Sequence, residues 1–394
     1  MKCEFDDVVL DSVITDIAAG PFGSNLRVSC FVSSGFPIID GANLKGFKVT
    51  DNITKFVTEE KARSLSRSIA KRNDVVVTIS GTLGQIAYIP QDSKYAEYLC
   101  SQRQFRVTFD DRAVYVPYLV YYFHTYEGQN KILSFANQTG VPALSQPLKN
   151  FRQIRIKLPD IDTQQRIAHI IESLDDKIEL NNKINENLER QATALFNNFY
   201  DQAETEISFT DVIQILGGGT PKTGESGYWG GKIPFFTPKD VGSPYTLNTE
   251  KTITEAGLAC CNSRLYPINT VFVTARGTVG KVGMAGVPMA MNQSCYALVG
   301  KGIHQLLVYF YTLKVIDRLR HKASGAVFDA VTTKDFESEH IMRLPESIEK
   351  VFLCAAEPMY QAILSNSIEN QKLAGLRDAL LPKLISGEID VSGI

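Results

Sequence analysis

The chain has 394 residues, of which 44% are hydrophobic and 10% aromatic, enough for two or three well-packed globular domains. A net charge of −2 excludes a protein that is basic overall, although a local basic face would still be compatible with nucleic-acid binding. Seven cysteines without a CxxC pair indicate reduced thiols in a cytoplasmic protein rather than a zinc site. No apolar run of about eighteen residues occurs, so no transmembrane helix is expected.

Residues 1–160 show the pattern of a mixed, strand-rich domain. The β-branched run Asp74–Ser80 ends at Gly81 and is followed by a second apolar run through Tyr88, which predicts a β-hairpin. The aromatic stretch Tyr115–Tyr126 predicts a buried helix. We therefore expect this part of the chain to form a globular domain with its own core.

The longest predicted helix is Gln164–Tyr200, a stretch without Pro or Gly. Its apolar or small residues recur at steps of three and four, the spacing of a coiled-coil seam: Ile171, Leu174, Ile178, Leu188, Ala192, Leu195 and Phe199. Asp162, with Gln165 three residues later, predicts a capping box at the start. Such a helix would be about 55 Å long. Because one small domain cannot bury a seam of that length, we expect a partner helix.

A second seam in the same chain provides that partner. Its apolar members are Met359, Ile363, Leu373, Leu380 and Leu384. Asn181 and Asn185 interrupt the first seam, and Asn366 and Asn370 interrupt the second at a constant offset of 185 residues. The offset indicates a duplicated chain with two antiparallel helices, in which Asn181 lies near Asn370 and Asn185 near Asn366. We predict that these four amides set the helix register by hydrogen bonding, and a solvated polar gap is the alternative.

Pro358 predicts a limit for the second helix. Proline lacks a backbone N–H and disrupts a helix interior, so it is expected in the first turn or at a kink. The second helix is therefore expected to run from about Pro358 to Leu381 and to be shorter than the first.

The globular part of the chain is repeated as well. Gly277-Thr-Val-Gly280 follows a β-branched run as Gly81-Thr-Leu-Gly84 does, and Leu306–Leu319 takes the place of the first aromatic helix. The sequence predicts an α+β fold of two tandem mixed α/β domains and two long antiparallel helices with pseudo-two-fold symmetry. The predicted segments are a globular domain at 1–160, the first long helix at 161–204, a second globular domain at 205–345, and the second helix with a C-terminal region at 346–394.

Motifs along the whole chain resemble one protein family. The central sequence Gln164–Phe196 and the C-terminal sequence Gly375–Ile389 (GLRDALLPKLISGEI) resemble the two conserved regions of the specificity subunits of type I restriction–modification systems. Gly218–Pro221, followed by Tyr228–Gly230, resembles the entry of a target recognition domain, and Gly277–Gly280 resembles its hairpin. The first globular domain departs from this pattern, because it has no GGTP and no YWG sequence at its entry.

The resemblance implies a non-catalytic specificity subunit whose target recognition domains, at 1–160 and 205–345, are separated by a coiled-coil spacer of two long helices. It implies recognition of a bipartite target in double-stranded DNA, with the gap between the halves fixed by the helices. Two methyltransferase subunits are expected to dock on the chain, and restriction or translocase subunits to join them. S-adenosylmethionine, ATP and Mg²⁺ are expected on these partners only, with no cofactor or metal on the chain itself.

The sequence carries no recognised catalytic motif. A P-loop, GxSxG, HExxH and the Asn/Asp-Pro-Pro-Tyr/Phe methyltransferase signature are all absent, so no catalytic residue is predicted. Asp160 with Asp175-x-Lys177 matches the carboxylate spacing of some nuclease cores. We interpret this as a chance match, because Asp175 and Lys177 are expected on the solvent side of the long helix.

The predicted DNA contacts are basic and amide side chains in loops. Lysine and arginine neutralise phosphates, arginine can bind guanine through two hydrogen bonds, and amides can recognise adenine. For each residue the alternative is a solvated charge or a turn amide, and for Tyr228 a place in the hairpin core. The set consists of Arg27, Lys45, Lys48, Gln102 and Arg103 in the first domain, and Lys222, Tyr228, Lys239, Arg276, Lys281, Asn292 and Gln293 in the second.

Apolar residues off the seam exceed what a pair of helices needs. We predict that they contact partner subunits, and packing on the globular domains is the alternative. They are Ile167, Ile170, Ile184, Phe196, Leu376 and Leu381. A second interpretation of the whole chain is a coiled-coil scaffold that binds protein only. The two diverged sets of loops rich in glycine and lysine favour DNA recognition, because a pure scaffold would not need them.

Overall fold

A computed structural model of the chain describes residues 5–137, 141–242, 244–322 and 330–393. The chain divides into two compact units. Unit 1 comprises Met1–Asp176 and Leu373–Ile394, and unit 2 comprises Lys177–Lys372. Each unit therefore contains one of the two repeated domains together with a part of each long helix.

Unit 1 is built from short strands covered by helices. Its strands are β1 (Asp6–Val9), β2 (Ile14–Ala19), β3 (Phe36–Ile39), β4 (Phe56–Val57), β5 (Ile69–Lys71), β6 (Val75–Thr78), β7 (Ile86–Tyr88), β8 (Glu97–Cys100), β9 (Gln104–Phe109) and β10 (Arg155–Leu158). Its helices are α1 (Glu59–Ser64), α2 (Val116–His124), α3 (Tyr126–Leu133), α4 (Pro147–Arg152) and the first part of α5 (Ile161–Tyr200).

The strands of unit 1 form sheets in the orders β2-β9-β6-β7 and β4-β3-β8-β5, and β1 pairs with β10. β3 and β8 run parallel, whereas β6 and β7 form the predicted antiparallel hairpin. Successive side chains of a strand point to opposite faces. Val75 and Val77 accordingly enter the main core beneath α2, while Val76 enters a second cluster with Ile39 and Tyr98. Both faces of the central sheet are thus buried, which explains the continuous apolar run.

Unit 2 repeats this order of elements. Its strands are β11 (Thr205–Ser208), β12 (Ile213–Gly217), β13 (Trp229–Phe236), β14 (Tyr245–Thr246), β15 (Lys251–Ile253), β16 (Val271–Thr274), β17 (Val282–Ala285), β18 (Ala290–Met291), β19 (Cys295–Gly300) and β20 (His340–Arg343). Its helices are α6 (Phe209–Val212), α7 (Glu255–Ala259), α8 (Gln305–Lys322), α9 (Thr333–Glu337) and the larger part of α10 (Glu346–Ile385).

The sheets of unit 2 have the orders β12-β19-β16-β17-β14 and β15-β13-β18, and β11 pairs with β20. Strand pairing therefore confirms the duplication, since β12-β19-β16-β17 corresponds to β2-β9-β6-β7. The shared Gly-Thr-x-Gly sequence has a conformational reason. Gly81 and Gly84 have φ of 98° and 85°, and Gly277 and Gly280 have φ of 84° and 75°. Both hairpin turns thus need two residues in a region that glycine adopts without strain.

The two long helices have equal lengths, which corrects the prediction for the second. α5 and α10 each contain 40 residues, and α10 begins at Glu346 and continues through Pro358. Phe352 and Ala356, which precede the proline, are fully buried in the core of unit 2. This burial offsets the hydrogen bond that Pro358 cannot make. The predicted cap is also corrected: Asp160, not Asp162, accepts from the backbone N–H of Thr163, at 2.9 Å.

Within unit 2 the two helices run antiparallel. Asn181 of α5 contacts Asn370 of α10, and Asn185, one turn later in α5, contacts Asn366, one turn earlier in α10. At the other end of α10, Leu384 and Ile385 pack into the core of unit 1, followed by Val391. Gly387, with a φ of 71°, ends the helix there. Among the described residues, none of the helices is both long and apolar enough to span a membrane.

Candidate nucleic-acid interface

Each unit has a cleft at the same place in its fold. Three segments converge there: the loop after the third strand of the unit's repeat (β3 or β13), the hairpin turn (β6–β7 or β16–β17), and the turn before the last strand of the central sheet (β9 or β19). We call these cleft 1 in unit 1 and cleft 2 in unit 2. Their volumes are about 530 Å³ and 520 Å³.

Cleft 1 exposes Gln102 and Arg103 on the turn before β9. The turn itself is fixed from two sides. Gly20, in the loop after β2, approaches it so closely that a Cβ atom at Gly20 would lie 1.8 Å from the carbonyl oxygen of Ser101. On the other side, the backbone N–H of Ile79 donates to the carbonyl of Arg103, at 2.7 Å. Both long polar side chains therefore project from a rigid backbone.

The floor of cleft 1 contains an acidic residue whose charge is balanced. Asp40 lies 2.6 Å from the ammonium of Lys55. Burial raises the pKa of Asp40, but the hydrogen bonds from Lys55 and from the backbone N–H of Ala42 outweigh it and keep the pKa below its usual value. The carboxylate is thus ionised at neutral pH and paired, so it does not repel a polyanion strongly.

Cleft 2 is more basic. It is lined by Lys239, Lys251 and Arg276, the last in the hairpin turn between β16 and β17. Lys239 lies 3.8 Å from Glu250, but both side chains are exposed, so this ion pair is weak and readily exchanged. Three cations in one shallow cleft create a local positive surface on a chain that is neutral overall.

The turn before β19 repeats the construction seen in cleft 1. A Cβ atom at Gly218 would lie 2.2 Å from the carbonyl oxygen of Asn292. The hydroxyl of Thr220 donates to Oε1 of Gln293, which orients this exposed amide. Oδ1 of Asn292 accepts from the backbone N–H of Ser294, at 3.0 Å, so it stabilises the turn. Gln102 and Gln293 thus occupy equivalent positions, each held by the loop that follows the first strand of its sheet.

The sequence matches the type I restriction modification DNA specificity domain twice, over residues 31–190 and 204–351. The chain belongs to this family of DNA specificity subunits. It is 23% identical to the type I restriction enzyme MjaIX specificity subunit of Methanocaldococcus jannaschii, over 85% of this chain and 82% of the relative. It is 25% identical to the HindI specificity subunit of Haemophilus influenzae, over 60% of this chain and 69% of the relative.

A crystal structure of the S subunit of a type I restriction–modification system from M. genitalium has a similar fold. It aligns with a TM-score of 0.62 at 14% identity, covering 97% of this chain and 96% of the other. Members of this family are specificity subunits rather than catalytic ones, and this chain is accordingly not an enzyme. The two clefts therefore lie in the two segments that match the DNA specificity domain.

The predicted DNA contacts of the first specificity domain separate into three groups. Gln102 and Arg103 line cleft 1. Arg27 and Lys45 are exposed on loops but do not line the cleft. Lys48 does not line the cleft either, and its ammonium lies 2.9 Å from Asp176 of α5, so its DNA contact stays a prediction that would require exchange of this ion pair.

In the second specificity domain, Lys239, Arg276 and Asn292 line cleft 2, and Gln293 is exposed on the adjoining turn. Lys281 instead lines a separate cavity beside α8 with Arg320. Sequence reasoning missed Lys251, which lines cleft 2. The available signal was a lysine at the start of a short polar stretch, directly after Glu250.

Lys222 and Tyr228 belong to the loop between β12 and β13. Trp229 donates its indole N–H to the carbonyl of Lys222, at 3.2 Å, and the side chain of Lys222 is exposed. A hydrogen bond with Cys260 raises the pKa of Tyr228, which is partly exposed. This loop is therefore braced by its two aromatic residues, and its lysine remains available to a ligand.

The predicted asparagine pairs are present. Asn181 donates to Oδ1 of Asn370, and Asn366 donates to Oδ1 of Asn185, each at 2.8 Å. Asn181 is buried and donates a second hydrogen bond to Glu369, also at 2.8 Å. The predicted contacts are confirmed, and the role of the amides in setting helix register stays a prediction. Sequence reasoning missed Glu369, which directly precedes Asn370.

The predicted partner contacts are partly wrong. Ile167 and Leu381 are buried in the core of unit 1, with Ile170 packed against it, and Phe196 stacks on Phe310 at 4.8 Å in unit 2. These four side chains therefore pack on the globular domains, which was the alternative to a partner contact. Ile184 and Leu376 are exposed by 40% and 47%, and they remain candidates for a partner contact.

The nuclease-like carboxylates have structural roles. Asp160 caps α5, and Asp175 lies 2.7 Å from the guanidinium of Arg377 within unit 1. The sequence suggested that Asp175 faces solvent. The structure corrects this, because the C-terminal end of α10 covers Asp175. Within the described residues, no group of three or more His, Cys, Asp or Glu side chains could hold a metal ion.

Proposed function

We propose that the chain recognises a bipartite target in double-stranded DNA, with cleft 1 contacting one half and cleft 2 the other. The observation that carries this proposal is the duplicated cleft, which has a glutamine at the same position in both units but different side chains around it. Two copies of one backbone construction present Gln102 and Arg103 in unit 1, and Gln293 with a cluster of cations in unit 2. One fold with two loop sets can recognise two different short sequences.

The side chains of both clefts suit the major groove. Arginine binds guanine O6 and N7 through two hydrogen bonds, and glutamine does the same with adenine N6 and N7. Arg103 and Gln102 supply these groups in cleft 1. Lys239, Lys251 and Arg276 can in addition neutralise phosphates, which orients the duplex without reading its sequence. We infer that the asparagine pairs hold the register of α5 and α10 and that the gap between the half-sites depends on this register.

The chain is proposed to act with partners in the cytoplasm. Two methyltransferase subunits would supply S-adenosylmethionine chemistry, and restriction or translocase subunits would supply work driven by ATP and Mg²⁺. The exposed apolar residues Ile184 and Leu376 are candidate contacts for such subunits. A scaffold that binds protein only is the competing function, and the cationic cleft 2 favours DNA, because a protein contact would not require it.

The test uses the complex of the full chain with its methyltransferase subunits. Mapping methylated bases in the host genome gives the target, and fluorescence anisotropy with duplexes mutated in one half-site gives the affinity for each half. We expect Arg103→Ala to reduce base preference in one half and Arg276→Ala to weaken binding through the other. A bidentate arginine contributes about 1–3 kcal/mol of discrimination, or roughly fivefold to 150-fold in affinity.

A matched control is Arg112→Ala, an exposed arginine of unit 1 that pairs with Asp110 at 2.7 Å and does not line cleft 1. It should leave the base preference unchanged. Binding should also weaken steeply with salt, because phosphate contacts release counterions. A complex that assembles but shows no preference among duplexes would favour the protein-only scaffold and contradict the proposal.

A further inference from the structure

The loop between β2 and β3 of unit 1 carries two apolar side chains that are almost fully exposed. Phe22 is exposed by 83% and Val28 by 82%. The loop between them is anchored, because Leu26 is exposed by only 6% and belongs to a cluster with Phe36 and Ile38. The backbone N–H of Asn25 donates to the carbonyl of Phe22, at 2.8 Å, which closes a turn. The fixed loop thus buries the side chain of Leu26 and exposes those of Phe22 and Val28 to solvent.

Both outward residues adjoin the polar groups of cleft 1. Val28 lines the cleft together with Gln102 and Arg103. Phe22 is directly followed by Gly23, at which a Cβ atom would lie 2.8 Å from Oε1 of Gln102. Phe22 and Val28 therefore flank an amide and a guanidinium that have the chemistry to bind base edges in the major groove.

The major groove offers one apolar group to such side chains, the C5 methyl of thymine. We propose that Phe22 and Val28 are specificity-determining residues that contact thymine methyl groups in the half-site bound by unit 1. This inference rests on the proposed DNA recognition by cleft 1. It gives the first specificity domain a recognition surface that combines an apolar contact with hydrogen bonds.

The charges beside Phe22 and Val28 match DNA as the occupant. Arg27 is exposed immediately before Val28, and Arg103 is exposed in the same cleft. Phosphates and guanine acceptors match two arginines beside an apolar contact. Apolar residues between cations therefore fit a base edge with its adjacent backbone.

Unit 2 provides an internal contrast. After Gly218, which approaches the turn as Gly20 does in unit 1, the loop continues with Thr220 and Lys222. Thr220 is committed to the hydrogen bond with Gln293. The equivalent loop is thus polar, and recognition by cleft 2 should not depend on thymine methyl groups contacted by this loop.

The experiment removes single methyl groups from the DNA. In duplexes carrying the mapped target, each thymine is replaced in turn by deoxyuridine, and binding to the complex with methyltransferase subunits is measured by anisotropy. We expect a loss of about fourfold at one or more positions of the half-site bound by unit 1, the effect of one buried methyl group. Phe22→Ala or Val28→Ala should bring the ratio of thymine to deoxyuridine affinity at those positions close to one.

Tyr126→Ala is the matched control, since this aromatic residue of unit 1 is exposed by 86% and lies outside cleft 1. It should keep the wild-type ratio. Equal affinity for thymine and deoxyuridine at every position would overturn the inference, and so would a Phe22→Ala complex with an unchanged ratio. Reduced copurification of methyltransferase with an unchanged ratio would identify Phe22 as a protein contact and would also overturn it. Specific binding that ignores methyl groups would leave the proposed function intact, whereas loss of all sequence preference would remove both.

Discussion

The asparagine pairs in unit 2 can be tested by a double-mutant cycle of Asn181→Leu and Asn370→Leu. Asn181 is buried and donates 2.8 Å hydrogen bonds to Asn370 and to the carboxylate of Glu369. A hydrogen bond contributes about 0.5–1.5 kcal/mol net, and about 1.5–3 kcal/mol when the acceptor is charged. Burying a leucine in its place returns about 1.5–3 kcal/mol. We therefore expect Asn181→Leu to destabilise unit 2 by about 1 kcal/mol.

In the double variant the two leucines face each other across the seam. The asparagine that each single change leaves without its partner across the seam is then absent, whereas Glu369 and Asn182 lose their hydrogen bonds in the single and double variants alike. The double variant should therefore be more stable than the sum of the single changes predicts. We expect a coupling free energy of about 1–2 kcal/mol. The chain has a single tryptophan, Trp229, and it lies in unit 2. Urea unfolding followed by tryptophan fluorescence therefore reports the stability of this unit within the full chain.

Asn187→Leu is the control, because Asn187 is exposed on α5 and accepts only from Gln191 of the same helix. It should change the free energy of unfolding by less than about 0.5 kcal/mol. Additive effects of Asn181→Leu and Asn370→Leu, within about 0.5 kcal/mol, would refute the reasoning that the amides act as a pair.

Three further substitutions test unit 2 by the same measurement. Pro358→Ala should stabilise it by about 1–3 kcal/mol, because alanine restores a helix N–H and removes the clash of the ring with the preceding turn; an unchanged midpoint would contradict this. Glu339→Gln should destabilise it by about 1–3 kcal/mol, since the buried carboxylate accepts from Arg318, at 3.0 Å, and from Lys322. Burial raises the pKa of Glu189, so the folded state holds this proton more tightly, and stability should fall as pH rises from the ordinary glutamate pKa through the raised one. Glu189→Gln should remove this fall in stability. A variant whose free energy of unfolding depends on pH as in the wild type, between acidic and neutral pH, would disprove the role of Glu189.

The features that sequence predicted correctly rest on local pattern or on the internal repeat. The hairpin turns follow from glycines that must adopt positive φ, and the buried helix follows from a continuous aromatic run. The pairing of Asn181 with Asn370 followed from one constant offset and antiparallel geometry. Each of these depends on few residues close in sequence or on a comparison of the chain with itself, so no three-dimensional information was needed.

The errors arise where tertiary packing decides. Pro358 suggested a helix start, but α10 begins about three turns before it, where Phe352 and Ala356 are buried. Ile167 and Phe196 lie off the seam, and periodicity alone cannot tell whether such a face meets a partner or the same chain's domain. Lys48 stays a predicted DNA contact, but its ion pair with Asp176, 128 residues further along the chain, could not be foreseen from its charge. Contacts of that kind become visible only in the folded structure.

In each of the two clefts, the backbone contact that supports the turn is separate from the side chains that we propose to bind DNA. Gly20 brings the loop after β2 into backbone contact with the turn that carries Gln102, and Gly218 does the same for the loop after β12 and the turn that carries Gln293. That contact involves no side chain of the loop, so it does not restrict the residues that follow, which are apolar in unit 1 and polar in unit 2. Exposed loop residues contribute little to stability, so they can change without loss of the fold. Alanine at either glycine would instead collide with a backbone carbonyl and displace the whole loop, and recognition by that unit alone would be lost.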